Sequence, residues 1–128
     1  MSRKSRGIDA EREILHMLWD KGWGTLRVAG SGAMKYPSAD VVAGNGFRRI
    51  VMECKKSKNG RKYISKDQIE ELQILSKKLA AEPWIAVRFP QKIWEFYMIE
   101  DLDEKKKSFA INREKAISFE QVIDNYDF

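Results

Sequence analysis

The sequence predicts an α/β fold, a single domain in which a central mixed β-sheet is flanked by helices. Three observations carry that expectation. Two stretches repeat apolar residues at helical spacing and carry helix start or stop signals. Two β-rich runs meet at an Asn-Gly dipeptide. Helical and extended segments also follow one another in the order α-β-β-β-α-β-β-α, with no repeat or low-complexity tract between them. The 128 residues suit one domain, and 43% hydrophobic content suffices for a core.

Each element has a local reason. Residues 1–6 read as a short, mobile basic arm. Ile8 to Lys21 forms an amphipathic helix with Ile8, Leu15 and Leu18 on one face, Ile14 alongside, and Gly22 as its stop. Gly24 to Ala29 is a short strand, and Gly30 to Ser38 is a loop of turn formers. Ala39 to Ala43 and Arg48 to Lys55 are the strands of a hairpin joined by Gly44-Asn45-Gly46. Lys56 to Lys62 is a basic loop. Ser65-x-x-Gln68 is a capping box, with Ile64 stapled on Ile69, and it opens a helix whose stripe is Ile69, Leu72, Leu75 and Leu79. Trp84 to Phe89 and Trp94 to Ile99 are two further strands. Glu100 to Lys107 reads as a solvated turn, and Ser118-x-x-Gln121 caps a short last helix.

Composition excludes several classes of function. A single Cys leaves no disulfide scaffold and no multi-cysteine metal site, and a single His leaves one candidate for a triad. No apolar run approaches the roughly 20 residues of a membrane span, and the N-terminus lacks a signal core, so a soluble cytoplasmic protein is expected. The net charge of +5 is unevenly distributed: residues 1–62 carry 14 Lys+Arg against 6 Asp+Glu, a net +8, and the rest carries −3. A polyanion touching the N-terminal half is the partner such a distribution suits.

Three acids stand out within that basic half. Glu11 falls on the apolar side of the first helix, where a carboxylate is paired or ligating rather than solvated. Asp40 begins an apolar strand. Strand alternation puts Ile50, Met52 and Cys54 on one face and Val51, Glu53 and Lys55 on the other, so Glu53 and Lys55 project together. The hairpin then brings Asp40 close to them. Converging carboxylates repel unless a cation binds them, and hard oxygen ligands select Mg²⁺, with Mn²⁺ as a substitute. With Lys55 to orient water and stabilise charge at phosphorus, Glu11, Asp40 and Glu53 form the set for metal-dependent phosphodiester hydrolysis.

Arg3-Lys4-x-x-Gly7, Ala10-Glu11-Arg12-Glu13, Gly22-Trp23, Arg27-x-x-Gly30-Ser31-Gly32, Asp40-Val41-Val42-Ala43-Gly44-Asn45-Gly46 and Glu53-x-Lys55 together resemble the archaeal Holliday junction resolvases. These are restriction-endonuclease-like enzymes of the PD-(D/E)xK nuclease superfamily. The resemblance runs from Arg3 to Ile99 and fades from Glu100 onward. It departs from the usual motif in its proline, since Pro37 lies three residues before Asp40. The resemblance implies metal ligation by Asp40 and Glu53 with Glu11 at the same site, Lys55 as the catalytic lysine, and Ser31 as an active-site loop residue. It also implies DNA or site contacts by Arg12 and Arg27, and a homodimer with Leu75 and Leu79 in its seam. The implied activity is symmetric cutting of a four-way DNA junction.

Arg3, Lys4, Arg6, Lys56, Lys58, Arg61 and Lys62 bracket the site in sequence and are expected to bind phosphate without reading bases. His16 is expected on the surface, Cys54 in the core, and Trp19, Trp23, Trp84 and Trp94 in core or interface. Asp9, Glu13 and Asp20 are expected to be surface partners. Two other readings stay open from the residues: a restriction- or repair-type nuclease acting on other DNA structures, and a non-catalytic DNA-binding dimer.

Overall fold

A computed structural model describes residues 3–30, 33 and 35–124, with side chains from residue 8 onward. Helix α1 (Arg3–Asp20) is followed by strands β1 (Gly24–Arg27), β2 (Val41–Gly44), β3 (Arg49–Lys56) and β4 (Tyr63–Ser65). Helix α2 (Lys66–Leu79) leads to β5 (Glu82–Phe89) and β6 (Ile93–Tyr97), then to β7 (Asp103–Glu104), β8 (Ser108–Ala110) and helix α3 (Phe119–Asp124). The central sheet has the order β1-β2-β3-β5-β6. Its β3–β5 pair is parallel and the others antiparallel, which makes the sheet mixed as expected. Parallel neighbours need a crossover, and α2 supplies it.

The two faces of the sheet carry separate cores. On the α1 and α3 side, Ala10, Ile14 and Leu18 pack with Trp23, Ile50, Met52, Trp84, Phe96 and Val122. On the α2 side, Val51, Ile85 and Val87 pack with Ile64, Ile69, Leu72 and Tyr97. The period-two alternation of β3 thus sends Ile50 and Met52 to one core and Val51 to the other.

Local signals set several boundaries. Ser65 Oγ accepts from Gln68 N at 3.1 Å and Gln68 Oε1 accepts from Ser65 N at 3.4 Å, so the capping box opens α2. The Ser118 and Gln121 pair repeats this arrangement before α3. In the hairpin the turn is longer than a two-residue Asn-Gly turn, because Gly44 pairs with Arg49. Asn45 Oδ1 accepts from Phe47 N and Arg48 N, at 2.9 and 2.7 Å, and Gly46 takes the positive φ of +95° that closes it.

Three expectations are corrected. Helix α1 begins at Arg3, not Ile8, so residues 3–6 are its first turn rather than a separate arm; Arg, Lys and Ser tolerate helix well, and Gly7 costs only about 1 kcal/mol against Ala. The buried stripe of α1 runs through Ala10, Ile14 and Leu18, with Leu15 only half-buried. Glu11 is therefore one step around from the stripe, at its edge. Finally, Glu100 to Lys107 is not simply a solvated turn. It holds a 3-10 turn at Ile99–Asp101 and strand β7, which joins β8 and β4 in a second sheet of order β4-β8-β7. Strands of two or three residues carry no detectable alternation, and only their pairing defines them.

Candidate active site

Asp40 sits where the β2–β3 ladder ends. Its backbone N donates to Met52 O at 2.9 Å, its carbonyl accepts from Val28 N at 2.8 Å, and its Oδ2 accepts from Cys54 N at 2.9 Å. A carboxylate that takes over the next rung of the ladder explains an Asp at a strand start. It is 8% exposed.

Glu53 follows on β3, and Lys55 Nζ lies 3.6 Å from its Oε1. Gln68 Nε2, from the first turn of α2, donates to the same oxygen at 3.5 Å. Burial and the neighbouring Asp40 push the Glu53 carboxyl up to about 8, against the opposing pull of Lys55. Glu11 of α1 is also raised, first by burial and then by Asp40, while Arg27 pulls it back. Arg27 Nη1 lies 3.6 Å from Glu11 Oε1. Four elements thus bring Glu11, Arg27, Asp40, Glu53 and Lys55 into one electrostatic unit.

A cavity of about 760 Å³ opens beside them, lined by Glu11, Lys55, Lys56, Lys58, Lys62 and Arg88 among others. Lys62 is held below its ordinary pKa by burial and by the Lys55 ammonium. Arg61 is exposed, does not line this groove, and gives its backbone to the loop's own bonds: its O accepts from Ser57 Oγ at 2.6 Å and its N donates to Asn59 Oδ1 at 3.1 Å. Arg12 is exposed on α1. Ser31 lies outside the described residues, as do the side chains of Arg3, Lys4 and Arg6. Leu75 is half-buried against the α2-side core, whereas Leu79 is 42% exposed beyond it.

One pair escaped the sequence reading. Glu13 is half-buried, not a solvated partner: its Oε2 lies 3.1 Å from Arg88 Nε, and its Oε1 accepts from Trp94 Nε1 at 2.8 Å. Arg88 stands opposite Lys56 in the parallel β3–β5 register and reaches the groove. The available signal was a lone Arg inside the apolar run Trp84 to Phe89, two residues after the buried Ala86. His16 is exposed, and Cys54 packs against the core with its thiol raised by burial. Trp23, Trp84 and Trp94 are buried, while Trp19 is 54% exposed, its Nε1 donating to Thr25 O.

The donor set fits a hard divalent cation. It is all oxygen, and Glu53 and Glu11 are raised first by burial and then by the charge of Asp40, both of which a bound cation would offset. Among the described residues no three His, Cys, Asp or Glu side chains are drawn together tightly enough to enclose an ion as they stand. No helix among the described residues is long and apolar enough to cross a membrane.

A single mixed α/β domain with a central mixed sheet flanked by helices is the fold of the restriction-endonuclease-like nucleases. A family model described as archaeal Holliday junction resolvase (Hjc) matches residues 2–127. The Crossover junction endodeoxyribonuclease Hjc of Archaeoglobus fulgidus is 38% identical over 109 residues, covering 85% of this chain and 80% of that protein. The protein of the same name from Sulfurisphaera tokodaii is 35% identical, covering 72% and 65%. A solved structure of Archaeoglobus fulgidus Hjc, a Holliday junction resolvase from an archaeal hyperthermophile, superposes with a TM-score of 0.82 at 34% identity, covering 88% of this chain and 94% of that one. The chain belongs to the archaeal Holliday junction resolvase family.

Proposed function

We propose that this protein is a Mg²⁺-dependent endodeoxyribonuclease that resolves four-way DNA junctions by hydrolysing phosphodiester bonds in symmetric strands. The observation that carries the reading is the convergence of Glu11, Asp40, Glu53 and Lys55 at the end of a lysine-lined groove, in a chain of this family.

Asp40 and Glu53, with Glu11 beside them, would hold Mg²⁺ or Mn²⁺. Such an ion neutralises charge on the scissile phosphate and lowers the pKa of water. The protein's own groups do the rest. Lys55 is kept next to Glu53, where its ammonium orients the attacking water and stabilises charge developing on the phosphoryl oxygens. Arg27 restrains Glu11. Lys56, Lys58, Lys62 and Arg88 bind the phosphate backbone, with Arg12 and Arg61 as further phosphate contacts; Arg3, Lys4, Arg6 and Ser31 are added to this set from the sequence alone. Contacts to phosphate carry no base information, as a structure-selective enzyme requires.

Selectivity for a junction follows from a homodimer that sets two sites at a fixed separation. Its seam is on α2, where Ile74 and Leu79 leave apolar surface exposed beside Leu75. The enzyme acts on DNA in the cytoplasm.

Cleavage of a labelled four-way junction and of linear duplex of the same sequence, with and without Mg²⁺, tests this reading. Paired nicks in the junction alone, and only with the metal, are expected. Equal cutting of linear duplex refutes junction selectivity, and binding without cutting refutes the enzyme.

A further inference from the structure

The C-terminal part of the chain packs beside the basic loop between β3 and β4. Asn112 Oδ1 accepts from Glu114 N at 3.1 Å and so starts the 3-10 turn Arg113–Lys115, which presents Arg113. The Arg113 guanidinium forks onto Glu95 of β6, with Nε to Oε1 at 3.0 Å and Nη2 to Oε2 at 2.7 Å. It also stacks over the Phe89 ring, with Cζ 4.0 Å from the ring centroid. Its third nitrogen faces the loop: a Cβ added at Gly60 would lie 3.3 Å from Arg113 Nη1, and Gly60 sits at φ +83°, where other residues are strained. Next door, Ile111 N donates to Lys62 O at 3.1 Å. A bidentate fork plus a stacking face fixes a guanidinium in orientation as well as position.

We infer that Arg113, gripped by Glu95, is a positioning residue that holds the loop of residues 57–62 against the groove and thereby sets how tightly the groove binds the DNA backbone. The segment after Ile99, which the family model spans as well, then has a defined role, which is to place Lys58 and Lys62 rather than to touch the reacting atoms. The inference rests on the DNA-cleaving reading above and extends it to the origin of affinity.

Glu95 makes the outcome a matter of sign. Its carboxylate is negative, so removing it raises the protein's positive charge, and electrostatics alone would tighten binding to DNA. Loss of the loop's placement would weaken binding instead. The full-length protein and its Glu95→Gln variant are titrated against labelled four-way junction and labelled duplex by fluorescence anisotropy, without added metal, over a salt series. Weakening of about 3- to 10-fold is expected, and the slope of log K against log salt should fall in magnitude by about 0.9 to 1.8, for one or two lost phosphate contacts. Cleavage at saturating junction with Mg²⁺ should keep its kcat. Equal or tighter binding by Glu95→Gln overturns the inference, and so does a fall in kcat as large as the fall in affinity.

Arg113→Lys keeps the charge but loses the fork and the stack. It is expected to weaken binding likewise, and wild-type affinity in that variant overturns the inference even where Glu95→Gln does not fold. Tyr97→Phe removes only the Tyr97 hydroxyl's bond to Glu95 Oε1, 2.6 Å long, and should bind within twofold of wild type; weakening equal to that of Glu95→Gln would mark a general loss of packing and overturn the inference. If the wild type shows no preference for the junction, the resolvase reading fails while the duplex series still decides the role of Arg113. Absence of any DNA binding overturns both.

Discussion

Replacing Glu53 by Gln should make the metal-free protein more stable in alkaline solution while abolishing cleavage. The Glu53 carboxyl is 13% exposed, so solvent screens it little, and burial beside Asp40 raises it from 4.5 to about 8. Between those two values the folded protein keeps a proton that the unfolded chain has released. Stability therefore falls as pH rises through this window; it is fullest below 4.5 and lost above 8. At 1.36 kcal/mol for each unit, the shift corresponds to roughly 5 kcal/mol over the whole window. Gln carries no charge and does not contribute this slope. Urea unfolding in EDTA at pH 5, 6.5 and 8.5 measures it, and the difference between wild type and variant reads Glu53 together with its coupling to Asp40. A difference that stays constant across the three pH values would refute the argument that burial and Asp40 strain the ionised Glu53.

Other outcomes follow from the same geometry. Mg²⁺ should raise Tm more at pH 8 than at pH 6, since the ion needs ionised carboxylates; saturation at 100 times Kd adds about 2.7 kcal/mol, and Asp40→Asn should remove that gain together with cleavage while junction affinity is kept. Arg88→Ala leaves Glu13 half-buried without its guanidinium, and should cost about 1–3 kcal/mol in urea unfolding as well as weakening DNA binding; unchanged stability would show that the pair is not coupled. Leu79→Asp places a charge on the exposed end of the α2 stripe and should shift the protein to monomer in sedimentation velocity, with junction cutting reduced to unpaired nicks.

How much of this was legible in the residues differs from element to element. Glu53 and Lys55 share a face because a strand alternates with period two, and Ser65 and Gln68 close a capping box because N-cap and N3 meet within one turn. Both are properties of a few consecutive residues. The approach of Asp40 to Glu53 needed one step more, the hairpin, and Asn45 marked it even though the turn proved longer than the dipeptide suggests. Glu11 does join these residues, but from a different place on its helix than the apolar pattern implied: the stripe it borders is Ala10, Ile14 and Leu18, and it lies at the edge because helix residues are spaced 100° apart.

By itself the sequence determined the helices, the hairpin, the separation of β3 into two faces and the acids and lysine of the candidate site, since each follows from hydrogen bonds and side-chain periods spanning only a few residues. Only the tertiary structure decided that β5 lies parallel to β3 and so delivers Arg88 beside Lys56 and Glu13, that β4 and β8 meet in a second sheet, and that Arg113 reaches Gly60. These contacts join distant parts of the chain. Which strand edges and charged tips meet is settled by packing two cores on one sheet, and no local spacing records that outcome.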